Sequence, residues 1–171
     1  FVPNAFVKID EHGVTLIMPH TEVGQGIYTS SAMMMAEELE LDLDQVKVEA
    51  APPDLSRYMD PNLYDQATGG SMSTRSDWMR LREAAAAARI MMVFAAAARW
   101  QVEASTLKVD RGVIHNPATR QQLTYAEIAP EAASQPVPTD IRLKEPTQFR
   151  LIGTSAKRVD TAAKVDGSLI Y

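Results

Sequence analysis

Two short stretches near the start of the chain alternate apolar with polar residues. Residues 5–9 (AFVKI) and 14–18 (VTLIM) flank Glu11, His12 and Gly13, so they predict a β-hairpin that Pro19 ends. From Gly26 the period changes. Ile27, Ala32, Met35, Ala36 and Leu39 fall on one helical stripe, and Glu37, Glu38 and Glu40 lie mostly off it. This predicts an amphipathic helix of about four turns with those carboxylates on its solvent face. Val46, Val48 and Ala50 then alternate with Lys47 and Glu49, a strand able to return to the sheet of the hairpin.

Residues 52–67 hold Pro52, Pro53, Asp54, Asp60, Pro61, Asn62 and Asp65 with no usable period. A connection of that length is functional or covered, so it is expected to shape a pocket or an interface. A second helix is expected to begin within residues 71–76 and to run to about Trp100. Alanine, leucine and methionine supply its propensity, and Arg80, Arg82, Glu83, Arg89 and Arg99 its polar positions. The methionines at 33–35 and 91–92 read as adaptable core filling rather than thioether ligands.

Residues 107–110 and 113–116 flank Arg111 and Gly112 as a second small hairpin. Thr124 can cap a short helix over 125–133, because Glu127 stands three residues on. Pro130, Pro136, Pro138 and Pro146 make the remainder extended and linker-like, apart from a strand at 149–153 and the start of another at 168–171. The fold class expected is α+β, a small, mainly antiparallel sheet packed against two principal helices.

Composition narrows the function. The 171 residues, 46% of them hydrophobic, suffice for one domain with a real core. Acidic residues outnumber basic ones by 22 to 17, the formal net charge is -5 and there is no basic block, which argues against nucleic acid as a partner. With no cysteine, the chain holds no disulfide, thiolate nucleophile or iron–sulfur ligand, so redox work would need a bound cofactor. The alanine-rich stretch 84–100 is interrupted by Arg89 and Arg99, short of the roughly 18 apolar residues of a membrane span. A start at Phe1 and a stop at Tyr171 in an apparent strand lead us to expect a piece of a longer protein.

The candidate chemistry lies in two glycine-centred loops, TEVGQGIYT (21–29) and TGGSMST (68–74), each directly ahead of a predicted helix. A helix start carries unpaired N–H groups and a positive dipole end, so two of them could hold one phosphorylated ligand between them. In the first loop Gly24 and Gly26 let a ligand approach the main chain, and Gln25 offers a neutral donor and acceptor suited to an oxo group or a pterin edge. In the second, Thr68, Gly69 and Gly70 open onto Ser71, Ser73 and Thr74, whose hydroxyls and N–H groups fit phosphate oxygens. Neither loop has the lysine of a P-loop or the GxGxxG spacing of a dinucleotide fold. A plain glycine turn and a serine-rich helix cap are the structural alternatives. His12, His20 and His115 lack paired metal-ligand spacing, and Glu22 and Asp65 read as structural caps near the loops.

The two loops, their order and the strand DLDQVKVE between them resemble the molybdenum-cofactor subunit of the xanthine dehydrogenase and aldehyde oxidase family. The resemblance is closest to the bacterial branch typified by the isoquinoline 1-oxidoreductase beta subunit, whose permuted order places the GQG loop ahead of the segment resembled by RVDTAAKVDG (158–167). It implies a partial cofactor-binding domain over residues 1–135, then an extended linker, 136–171, leading into a hammerhead-like domain. It also implies molybdenum-molybdopterin cytosine dinucleotide as cofactor. Gln25, with Gly24 and Gly26, would contact its oxo or pterin region; Thr68, Gly69, Gly70, Ser71 and Ser73 would line the metal side and phosphate end. In xanthine dehydrogenase the second loop has alanines where this chain has Gly69 and Gly70.

The family reaction is hydroxylation of an aldehyde or electron-poor N-heterocycle with water as oxygen source. Its base is a glutamate in a late GVGEP-like stretch, which this sequence lacks, so no catalytic residue and no metal ligand is assigned here. The implied partners are the remainder of the parent chain, a small [2Fe-2S] subunit and a cytochrome c electron acceptor, in a periplasmic or periplasm-facing membrane setting. The chain alone is expected to be inactive. A stand-alone phosphate- or ligand-binding domain without redox activity is the alternative.

Overall fold

The computed structural model describes residues 1–168. Strands β1 (Val7–Asp10) and β2 (Gly13–Met18) form the expected hairpin, with Val7 opposite Leu16 and Ile9 opposite Val14. Helix α1 (Ile27–Leu39) then carries the chain back along the sheet. Strand β3 (Val46–Ala50) therefore lies parallel to β2, Leu16 beside Val48. One edge of this sheet is antiparallel and the other parallel. Beyond β3, the proline-rich connection holds the short helix α2 (Leu55–Tyr58).

Helix α3 (Ser73–Trp100) is 28 residues long, about 42 Å at 1.5 Å per residue. It packs along α1, with Ala85, Ala88, Met92 and Ala96 joining Ala32, Met35 and Ala36 in the core; small side chains on both helices let the backbones approach. A second sheet of β4 (Lys108–Asp110), β5 (Val113–Asn116) and β6 (Gln121–Thr124) is wholly antiparallel. Strand β6 was not expected, since QQLT has no apolar alternation; its pairing to β5 supplies the order. Helix α4 (Tyr125–Ala132) starts on the expected capping box: the Thr124 hydroxyl accepts from the Glu127 N–H, and the Glu127 carboxylate accepts from the Thr124 N–H at 2.7 Å. The Tyr125 hydroxyl donates to the Leu39 carbonyl at 2.8 Å, joining α4 to the end of α1.

Two expectations fail together. Glu37 and Glu38 do not face solvent; both are fully buried. Glu37 accepts from the backbone N–H groups of Arg150, Leu151 and Ile152 and from the Lys144 ammonium, at 2.7–3.2 Å. Glu38 accepts from Arg82 at 2.7 and 2.9 Å. The expected strand at 149–153 is absent because its N–H groups wrap this carboxylate instead of pairing with a neighbouring strand. The last helix, α5 (Thr161–Asp166), is short, and the strand expected at 168–171 lies, apart from Ser168, outside the described residues.

Candidate functional site

The first loop leaves β2 through Pro19 and His20 and enters α1 through Gly26. Gly24 and Gly26 have φ of 104° and 87°, left-handed values that suit glycine, and these bends turn the loop's N–H groups inward. They converge on Glu22. Its Oε1 accepts from Gly24 at 2.8 Å and Gly26 at 3.0 Å, and its Oε2 from Tyr28 at 3.2 Å. Burial alone would raise the Glu22 pKa, yet these three donors and Arg158 hold it below the ordinary carboxylate value. The positive end of α1 is thus filled by the chain's own carboxylate, and the expectation of two open helix starts is corrected to one.

Arg158 braces this arrangement from the tail. Its guanidinium donates to Glu22 at 2.9 Å, to the Gly24 carbonyl at 2.8 Å and to both oxygens of Asp160 at 3.0 Å. The Val159 N–H adds a bond to the Thr29 hydroxyl at 3.1 Å. Gln25 is a staple within the loop: its Nε2 donates to the Thr21 carbonyl at 3.0 Å and its Oε1 accepts from the Val23 N–H at 2.7 Å. One Nε2 hydrogen is left over for a ligand.

The second loop remains open. Its turn is closed by the Met72 N–H donating to the Gly69 carbonyl at 3.1 Å, with Gly70 and Ser71 both at positive φ. Helix α3 follows with Met72 as N-cap and no side chain bonded to its first N–H groups. An α-helix start of this kind has donors to spare. The Thr21 N–H donates to the Thr68 hydroxyl at 2.8 Å and ties the two loops together.

Between them lies a cleft of about 230 Å³ lined by Gln25, Ile27, Ser30, Ser71, Ser73 and Thr74. The structure therefore brings Gln25, Ser71 and Ser73 to one place. Gly24, Gly26, Gly69 and Gly70 shape the backbone around it, and Thr68 joins the loops. Hydroxyls, amide hydrogens and a helix dipole suit anionic or oxo oxygens, and among the described residues no cationic side chain lines the cleft. Its volume is below the roughly 300–1,000 Å³ of a complete small-molecule pocket, so it can receive only part of a large ligand. Among the described residues no group of three His, Cys, Asp or Glu is placed to hold a metal ion. A larger cavity of about 640 Å³ opens beside the first loop, and Pro53, Asp54, Leu55, Asp65 and Gln66 of the long connection wall it, as expected of that segment. The braces on the first loop were missed in the sequence, because Arg158 stands 136 residues from Glu22.

Comparison with known proteins gives a consistent result. The model of the molybdopterin cofactor-binding domain matches residues 3–165. The beta subunit of isoquinoline 1-oxidoreductase from Brevundimonas diminuta is 31% identical over 204 residues, covering 99% of this chain and 26% of that protein. A nicotinate dehydrogenase subunit from Pseudomonas putida is 32% identical over 170 residues, covering 97% of this chain and 14% of that protein. The chain thus spans about a quarter of the first relative and about a seventh of the second. Among solved structures, quinoline 2-oxidoreductase from Pseudomonas putida 86 shares the fold over 80% of this chain and 17% of its own, with a TM-score of 0.56 at 19% identity.

Proposed function

The chain belongs to the molybdopterin cofactor-binding domain family, and from that premise we propose that it supplies one wall of the cofactor site in a molybdenum-dependent oxidoreductase. The substrates are aldehydes or electron-poor N-heterocycles, with water as the oxygen source. The observation that carries this reading is the convergence of both glycine loops on one cleft at an uncapped helix start. The names of the two relatives, which refer to an isoquinoline and to nicotinate, favour an N-heterocycle.

The cofactor is taken in its cytosine dinucleotide form, and the support for a molybdopterin group here is the set of hydroxyls and spare N–H groups at the cleft, which suits its oxygens. When bound, the cofactor supplies the two-electron redox chemistry. The first N–H groups of α3 and the hydroxyls of Ser71 and Ser73 receive its oxygens, assisted by the helix dipole. Gly69 leaves room for that approach, since an added Cβ there would point into open space. Gln25, already stapled at Thr21 and Val23, turns its spare Nε2 hydrogen to the oxo or pterin edge. Glu22 and Arg158 hold that loop rigid and take no part in ligand contact. The rest of the cradle, the catalytic base and the substrate walls come from the remainder of the full-length protein. Residues 136–171 lead towards a following hammerhead-like domain. Electrons leave through a [2Fe-2S] subunit to a cytochrome c, and the complex faces the periplasm.

Molybdenum and cytosine nucleotide measured per chain test the reading. Near-stoichiometric amounts are expected in the full-length protein, and none, with no activity, in the 171-residue chain alone. Full-length Gln25→Ala should lose activity more than molybdenum content. A full-length protein free of molybdenum that still binds phosphate would overturn the proposal in favour of a phosphate-binding module.

A further inference from the structure

We propose that His20 is the positioning residue that couples the two loops, acting as a buried imidazolium that ties the start of the first loop to the backbone ahead of the second and to α3. The ring is 3% exposed. Its Nδ1 lies 3.1 Å from the Ala67 carbonyl oxygen, and its Nε2 lies 3.0 Å from Asp77 and 3.7 Å from Asp60. Each nitrogen faces oxygen acceptors. A neutral imidazole has a single N–H, so with both carboxylates ionised its bare nitrogen would face an oxygen; only the doubly protonated ring offers N–H to both sides, its Nε2 meeting the carboxylates as an ion pair rather than an aligned hydrogen bond.

Charge balance supports the same state. Asp60 and Asp77 are fully buried, and Arg80, which contacts Asp77 at 2.5 Å, is the other cation of the cluster. With His20 protonated, two carboxylates meet two cations. With His20 neutral, one buried negative charge is uncompensated, a costly state. Asp54, Asp65 and Tyr28 share the cavity that reaches the ring, and none brings a positive charge. Burial works against protonation, but Asp77, the Ala67 carbonyl and Asp60 outweigh it and raise the His20 pKa above its ordinary value.

The ties are placed where they matter. Thr21, the next residue, bonds to Thr68, the residue after Ala67, so the imidazolium and this hydrogen bond form adjacent rungs between the loops. Asp60 extends the linkage, accepting from the N–H groups of Asn62 and Leu63 and from the hydroxyl of Ser76 on α3. His20 thereby sets the distance between Gln25 and the Ser71–Ser73 side of the cleft, a role that rests on the cleft being the cofactor wall. Because the folded pKa is raised, the tie is complete below the ordinary histidine value of about 6.5 and is lost as pH rises through the folded value.

Hydrogen–deuterium exchange of the full-length protein, cofactor-free and loaded, tests this from about pH 6 to 9.5, with protection corrected for intrinsic exchange rates. In the wild type, residues 20–26 and 67–73 should lose protection together, by about tenfold, as pH rises, while residues 85–97 stay constant. His20→Gln should show low protection in both loops at every pH, with no step. Asp77→Asn should move the wild-type step to lower pH and decides the matter if His20→Gln does not fold. A wild type with no step, or a step that survives in His20→Gln, would overturn the proposal. The step is read without cofactor, so a full-length protein lacking molybdenum would remove the cofactor reading and leave the coupling of the loops standing.

Discussion

Removing the Glu22 carboxylate should loosen the first loop without touching the core. In Glu22→Ala the N–H groups of Gly24, Gly26 and Tyr28 lose their acceptor together. A hydrogen bond to a charged group contributes about 1.5–3 kcal/mol, but Gly24 is exposed and water can replace part of the loss, so about 1 kcal/mol per bond is the better figure. The Arg158 pair is screened by water and adds little. The expected cost is about 3 kcal/mol, or a fall in Tm of roughly 6–12 °C for a chain of this size. Glu22→Gln keeps one acceptor oxygen and should cost about half as much. Urea denaturation at neutral pH measures both. The sign with pH follows from the lowered Glu22 pKa: the stabilisation is present above the ordinary carboxylate value and is lost as pH falls through the lower folded value. The wild-type and alanine curves should therefore converge in acid. An alanine variant within about 0.5 kcal/mol of wild type at neutral pH would refute the account of the loop.

Glu37→Ala should cost about 3–5 kcal/mol, because three backbone N–H groups and the Lys144 ammonium lose a buried acceptor. Trypsin should then cut at Lys144 and Arg150 faster than in wild type; an unchanged digestion pattern would count against the clasp. Ala88→Leu places three extra carbons in the fully buried core shared by α1 and α3 and should cost about 1–3 kcal/mol or more in urea, whereas unchanged stability would mean the helices are loosely packed. Tyr125→Phe removes the bond to the Leu39 carbonyl and should cost about 1 kcal/mol by the same assay, a neutral result showing that the carbonyl finds another donor.

What could be read from the sequence was local. The hairpin, the two long helices and the Thr124 capping box depend on residues within a few positions of one another, and they stand where the pattern put them. Glu37 and Glu38 were misread for the complementary reason. Helical periodicity places a carboxylate off the apolar stripe, but burial is decided by Arg82, Lys144 and residues 150–152, which lie 44 to 115 residues away. The site divides in the same way. Gln25, Ser71 and Ser73 could be named as loop residues, and the structure sets them on one cleft. Glu22 could be read as a cap because its partners Gly24, Gly26 and Tyr28 stand within six residues, whereas the Arg158 clamp and the bridge from His20 to Ala67 could not be seen in any local window.

The clamp on the first loop also orders events in time. Glu22 and Gly24 receive their guanidinium from a residue 136 and 134 positions later. At synthesis rates of about 5–20 residues per second, a nascent loop waits roughly 7–27 s for its brace. Throughout that interval the GQG backbone can make its local bonds to Glu22 but lacks the Arg158 brace, which is added only after translation has passed residue 158. A message truncated between residues 100 and 158 would yield a chain that holds the sequence of both long helices and lacks this brace.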